Sequence, residues 1–254
     1  MQRRKFLKDT ASAGLIAGIG AHPAAAGSAS TTPAGSKVRV LCWSERTEPA
    51  RVYAEGINGA IAHYLRQHPD LDVQTTSIND PEQGLGNAAL ESTEVLIWWG
   101  HQKHSNVDDA RVAEAVRQIK ERGLGFIGIH SAHYSKIFKT VLGCTGDLGG
   151  WREDGKPEFL KCVAPSHPIA KGLGDFTIPE TEMYNEPFAV PAPEKTIFFS
   201  YWEAGEQFRS CNTWTVGKGR VVHFRPGHES YPIYFQELPL RVVKNCVYWC
   251  ARRV

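Results

Sequence analysis

Three apolar runs in this chain each end in a histidine. They are Val95-Leu-Ile-Trp-Trp-Gly-His101, Gly125-Phe-Ile-Gly-Ile-His130 and Arg220-Val-Val-His-Phe-Arg-Pro-Gly-His228, the last followed by Glu229. Neutral imidazole nitrogens bind divalent metals, and imidazole also gives and takes protons near neutral pH. With Glu182, the side chains of His101, His130 and His228 could form a shell of three nitrogens and one oxygen around a single divalent ion, zinc first. A catalytic shell of that kind keeps one position open for water or a substrate oxygen. The alternative is a metal-free polar pocket whose histidines hydrogen-bond a sugar. Ligands from separate strand ends leave no diagnostic spacing, so both readings stand. Glu182, His228 and His130 are the expected catalytic groups.

Other residues surround these. His104 and His133 each lie three positions beyond a candidate ligand, and Ser131 follows His130 directly. Trp43, Trp151 and Tyr184 could face the apolar side of a sugar ring, although most aromatic side chains in any domain are core. Glu45 and Arg46, after the first strand, could bind hydroxyls or form a surface ion pair; Arg225 and Glu229 complete the expected substrate-binding set. His63 and His68 read as solvated or structural, His167 as a turn cap before Pro168, and His223 as a hydrogen-bonded core residue.

The elements that must position these groups alternate. Lys37–Trp43, Leu71–Ser77, Glu94–Trp99 and Gly125–His130 read as strands. Val52–Gln67, Val107–Arg122 and Ser131–Leu142 read as helices, the second ending at Gly123. This alternation predicts a doubly wound α/β sheet, mostly parallel, whose strands all end on one edge, where such folds bind ligands. His101 and His130 fall on that edge. The second half adds β structure: Phe159–Val163, Thr196–Tyr201, Ser210–Val216 and Gly219–Phe224 read as strands, the last two joined in a hairpin, and Tyr234–Cys250 reads as a closing helix. Thr181–Glu186 is polar between apolar neighbours. One domain over residues 37–254 accommodates all of it.

The 254 residues include 42% hydrophobic and 22% charged residues, ordinary for a globular chain. Residues 1–26 read as a twin-arginine export signal: Arg3-Arg-Lys-Phe-Leu-Lys8, a short weakly apolar stretch, then Ala24-Ala-Ala26. Residues 27–36 read as a linker. The stretch is too short to anchor stably in a bilayer, so the expected location is periplasmic, with no membrane partner. Removing 1–26 takes away Arg3, Arg4, Lys5 and Lys8 against Asp9, so the net charge of +2 becomes −1. No basic patch remains to suggest nucleic acid. The six cysteines contain no Cys-x-x-Cys pair, and free buried thiols are the expected state.

The set Trp98-Trp-Gly-His101, Gly128-Ile-His130-Ser131, His167-Pro-Ile, Glu182-Met-Tyr184 and Gly227-His228-Glu229 resembles the ThuA-like, or trehalose-utilisation, family over nearly all of residues 37–251. The resemblance implies a fold related to class I glutamine amidotransferases, and so a flavodoxin-like sheet with the active site at the strand edge. Those enzymes carry a nucleophilic cysteine at the turn where this chain has His130, so thiolate chemistry on glutamine is not expected. What the resemblance implies is a carbohydrate-active enzyme acting on an oxidised (keto) disaccharide or glycoside, in a pathway shared with a sugar dehydrogenase, without a nucleotide cofactor. A homo-oligomer fits this reading. A non-catalytic periplasmic sugar-binding protein is the alternative.

Overall fold

The computed structural model describes residues 36–254. The export signal expected at 1–26 and nearly all of the linker lie outside the described residues. In chain order the elements are β1 (Val38–Ser44), α1 (Gly56–Leu65), β2 (Leu71–Ser77), α2 (Asn87–Ser92), β3 (Val95–Trp99), α3 (Asp109–Arg117), β4 (Gly125–Ile129), α4 (Lys136–Leu142), β5 (Gly150–Cys162), β6 (Phe176–Asn185), β7 (Lys195–Tyr201), β8 (Gln207–Val216), β9 (Gly219–Phe224) and α5 (Glu237–Cys250).

The nine strands of the described residues form one sheet in the order β2-β1-β3-β4-β9-β8-β7-β5-β6. The first five are mutually parallel and form its core; the remaining pairings are antiparallel. The expected β-rich second half is therefore not a separate layer but a continuation of the same mixed sheet.

Side chains of the parallel strands alternate between two buried clusters, as the two-residue period of a strand requires. Val38, Val40, Val95, Ile97, Ile127 and Val222 pack with Ile57, Ile61 and Leu65 of α1 and Val243 and Val247 of α5. Leu41, Trp43, Leu96, Trp98, Phe126 and Val221 pack with Val112 and Val116 of α3 and with Ile137, Phe138 and Val141 of α4. β3 and β4 are buried at every position, which explains their continuous apolar runs.

Most expected elements recur within a few residues, and the departures have identifiable causes. The run from Val52 yields a shorter helix, because residues up to Gly56 are turns and Gly56 has φ +81°. α4 starts only at Lys136, since His130–Tyr134 forms a 3₁₀ turn and Ser135 caps the helix by accepting from Phe138 N. The short helix α2 was not anticipated. β5 is far longer than the expected Phe159–Val163 strand, and the Glu182-Met-Tyr184 segment is itself strand β6. Gly150, Gly155, Pro157 and Pro179 disguise both, and register shifts near Lys156 and Glu158 absorb the irregularity.

The β8–β9 turn lies against the end of the segment after α3. A Cβ at Gly217 would come within 2.3 Å of the Lys120 carbonyl oxygen, and its φ is +59°. Gly217→Ala is expected to cost about 2 kcal/mol or more of stability, through left-handed strain and that contact, measured by urea denaturation.

Candidate functional site

The three parallel strands β3, β4 and β9 end level with one another: Trp99 pairs with Ile129, and Ile129 with Phe224. The chain leaving each end carries one histidine into the same corner. His130 takes φ +56°, a left-handed conformation unusual for a residue with a side chain, so the turn after β4 is a strained strand-to-helix elbow. Trp99 Nε1 donates to the Gly227 carbonyl at 2.9 Å, which ties the loop after β9 to the end of β3. The ring centroids of His101, His130 and His228 form a near-equilateral triangle, 5.4, 5.0 and 5.3 Å on its sides.

Two carboxylates close the corner. Glu229 Oε1 lies 2.6 Å from His101 Nδ1. Glu182, on β6, places Oε2 3.3 Å from His130 Nε2. β6 is the far edge of the sheet order, so the antiparallel half must curl back over the strand ends to bring Glu182 there. The Arg225 carbonyl, which can only accept, lies 3.3 Å from His130 Nδ1; Nδ1 therefore carries the hydrogen and Nε2 presents its lone pair to the corner.

Burial and charge oppose one another here. Burial pushes the Glu182 carboxyl up to about 7, against the attraction of Arg225 and His101. Burial holds His130 well below the ordinary histidine value, helped by the neighbouring His228 and His101. It also depresses His228, with Glu229 and Glu153 opposing. For His101, burial is outweighed by the bond to Glu229 and by the Glu229, Glu182 and Glu45 charges, so its pKa is raised. Burial works likewise against ionising Glu229, but the His101 bond prevails and keeps it below the usual carboxylate range.

A cavity of about 270 Å³ opens above the corner, lined by His101, Ser131, Tyr134, Leu148, Trp151, Glu153, Glu182, Tyr184 and His228. Of the expected residues, His101, Ser131, Trp151, Glu182, Tyr184 and His228 thus meet in one place, with His130 and Glu229 beneath them. Trp151 is 66% exposed. Tyr184 packs its ring on His130 and lies within 3.3 Å of Ser131 Oγ through its hydroxyl.

Five expected binding residues are elsewhere. Trp43 is core: it stacks on Trp98 at 3.7 Å and its indole donates to the Gln83 carbonyl. Glu45 is buried and accepts from the Gln102 and Lys103 amides and the Thr47 hydroxyl, so it anchors the loop carrying His101 instead of meeting hydroxyls. His104 sits behind that loop against Tyr134, where burial pushes its pKa down to about 4. His133 is buried and donates from Nδ1 to the Gly146 carbonyl at 2.7 Å. Arg225 is buried and ion-paired with Glu158.

Arg46 binds the Glu55 carbonyl. His167 accepts from Ile169 N as the expected cap, and His223 donates to the His130 carbonyl as the expected core residue. Unforeseen lining residues are Tyr134, Leu148 and Glu153, whose Oε1 lies 3.7 Å from His228 Nδ1. Only proximity in sequence to Trp151 could have suggested Glu153.

The expected metal shell shifts by one ligand. Donor atoms of His101, His130, His228 and Glu229 all lie within 4.8 Å of one another, with Glu229 in the place expected for Glu182. His130 Nε2, Glu182 Oε2 and Glu229 Oε2 are buried without hydrogen-bond partners, as expected of groups facing a ligand. All six cysteines are free, and Cys144 follows the end of α4.

A family model described as ThuA, trehalose utilisation, matches residues 39–250. A ThuA-like protein from Bacteroides uniformis ATCC 8492 superposes with TM-score 0.60 at 16% identity, over 87% of this chain and 94% of that one. A second, from Parabacteroides merdae ATCC 43184, gives TM-score 0.62 at 15% identity, over 85% and 90%. A glutamine amidotransferase from Thermotoga maritima gives TM-score 0.48 at 13% identity, over 84% and 98%. No functionally curated protein matches the chain.

Burial holds His133 well below its ordinary pKa. A depressed histidine contributes stability that is complete above the unfolded value near 6.5 and is lost as pH falls below it, by up to about 1.4 kcal/mol per pH unit. His133→Asn, which keeps a donor toward Gly146, is expected to flatten the decline of unfolding free energy between about pH 6.5 and 4.5; an unchanged slope would remove His133 from the acid response.

Proposed function

The chain belongs to the ThuA, trehalose-utilisation, family, and from that premise we propose that it is a carbohydrate-converting enzyme acting on a keto-disaccharide or keto-glycoside by isomerisation, elimination or hydrolysis. One observation carries the reading: Glu182, raised to about 7, faces the three-histidine corner at the floor of a cavity walled by the exposed Trp151. A carboxyl group divided between its two forms near neutral pH can both take and return a proton at the carbon beside a carbonyl. The parallel half is read as a doubly wound, flavodoxin-like unit, which holds ligands at its strand ends.

In this mechanism the sugar ring lies against Trp151, and Tyr184 and Ser131 meet its hydroxyls. Glu182 removes the proton from the acidified carbon. His228 accepts from Ser230 N at Nδ1, so its neutral ring presents an N–H at Nε2 that donates a hydrogen bond to the departing or rearranging oxygen, to which Glu182 returns the proton it has taken up. His130 Nε2 lies 3.3 Å from Glu182 Oε2 with its lone pair toward it, placed to accept the carboxyl hydrogen once Glu182 is protonated.

In place of that hydrogen-bonded arrangement, with the His228 hydrogen moved off Nε2, His101, His130, His228 and Glu229 also fit a divalent ion of the zinc class. Such an ion, when bound, would polarise the substrate carbonyl. His130 donates its other ring hydrogen to the Arg225 carbonyl, which would leave Nε2 turned toward such an ion. The proposal extends to export by the twin-arginine route and to a preceding oxidation, of the class a sugar dehydrogenase performs, that supplies the keto group.

Elemental analysis of purified protein is expected to find one transition-metal ion per chain, lost in His101→Ala and His130→Ala and retained in Glu182→Gln. Trehalose oxidised at a ring hydroxyl should be consumed by the wild type. Glu182→Gln and His228→Ala should each lower kcat by about 10²–10⁴ without unfolding. Wild-type rates in either variant would overturn the role assignments. Sugar binding without turnover would make the protein a non-catalytic binder. Trp151→Ala should raise KM about fivefold with kcat little changed, since an aromatic face contributes about 1 kcal/mol of contact.

A further inference from the structure

Arg225 was expected to bind substrate, but it lies wholly inside the protein. It follows β9 directly, at the point where the parallel core ends. Its guanidinium turns into the antiparallel half: Nη1 donates to the Glu182 carbonyl at 2.6 Å, and Nη2 donates to Thr181 Oγ1 at 3.1 Å and to Glu158. Glu158, on β5, is equally buried and also accepts from Ser200 Oγ of β7 at 2.5 Å and Ser210 Oγ of β8 at 3.4 Å. The guanidinium is flanked by the rings of Tyr184 and Trp202, at 5.6 and 5.3 Å. The Arg225 carbonyl meets His130 Nδ1, and its amide donates to the Ser210 carbonyl.

One residue therefore touches both members of the facing pair at the corner. Its carbonyl receives His130, which comes from the parallel core, and its side chain holds the main chain of Glu182, which comes from β6. A buried ion pair is an expensive way to hold a fold together, because desolvating two charges offsets most of their attraction, and apolar residues of similar volume often do as well. Loss of one partner alone leaves an uncompensated charge and costs far more. The five-donor fork of arginine is what allows one group to reach Glu182, Thr181 and Glu158 together, which an ammonium does not match.

We infer that the Arg225–Glu158 pair is a positioning device that sets Glu182 and His130 against each other across the junction of the two sheet halves. This rests on the reading of those two residues as the reacting pair. Arg225 and Glu158 are positioning residues, since neither reaches the cavity.

The test is the double substitution Arg225→Met with Glu158→Leu, beside Arg225→Lys and Glu158→Gln. Three measurements are made on purified protein: thermal unfolding, kcat and KM on trehalose oxidised at a ring hydroxyl, and side-chain ¹H–¹⁵N NMR of His130, assigned through His130→Gln. The double variant is expected to fold with a melting temperature close to wild type, to lose about 10²-fold in kcat with KM little changed, and to replace a single Nδ1–H form of His130 by a mixture. Arg225→Lys should recover part of kcat. Wild-type kcat together with a wild-type His130 spectrum in the double variant would overturn the inference and leave the pair as core packing. Should the double variant not fold, Glu158→Gln is judged by the same two readouts. If the wild type turns over no keto-sugar, the functional reading fails by itself and the His130 spectrum alone decides: an altered spectrum supports the positioning role, and an unaltered one overturns it.

Discussion

Three imidazoles cannot meet unless the strands that carry them stop at the same height. That condition is met by the register of β3, β4 and β9, in which Trp99, Ile129 and Phe224 lie abreast. A one-residue slip would turn each apolar run over to the opposite face of the sheet. The register is therefore secured by the same alternating burial that builds the two cores. The site inherits its geometry from packing that has no direct part in chemistry, and the strained elbow at His130 is held because both flanking segments are buried.

The corner then concentrates charge at a place poor in water. Burial alone would leave its histidines neutral and its carboxyls protonated. The structure departs from that limit selectively. The direct bond between Glu229 and His101 favours ionisation of both, whereas for Glu182 burial outweighs the attraction of Arg225 and His101 and raises its carboxyl to about 7. Two carboxylates a few residues' reach apart thus have different protonation behaviour because their immediate partners differ, the usual basis for dividing acid–base roles.

Residues of suitable chemistry can also serve beneath a site. Trp43, Glu45, His133 and Arg225 all have groups that bind sugars in other settings, yet each spends its polar atoms on the protein: an indole on a carbonyl, a carboxylate on two loop amides, an imidazole on Gly146, a guanidinium on Glu182 and Glu158. Buried polar groups must find partners, and at the end of a sheet the available partners are the loops that hold the site. Glu45 thereby holds the loop that carries His101, and Arg225 holds the main chain of Glu182.

The chain order of residue types was enough to reveal the parallel core, the shared strand edge and three histidines upon it, because a fully buried strand must be continuously apolar and parallel strands must end together. It also carried the family motifs and the absence of a cysteine at the elbow. Strand β6 was hidden, since Pro179 and a polar stretch around Glu182 break the alternation that marks a strand. The exchange of Glu229 for Glu182 among the candidate ligands, the approach of Glu153 to His228, and the withdrawal of Arg225 into the interior were decided only in three dimensions. Each depends on contacts between residues tens of positions apart, such as Arg225 with Glu158 and Glu182, which no local pattern records.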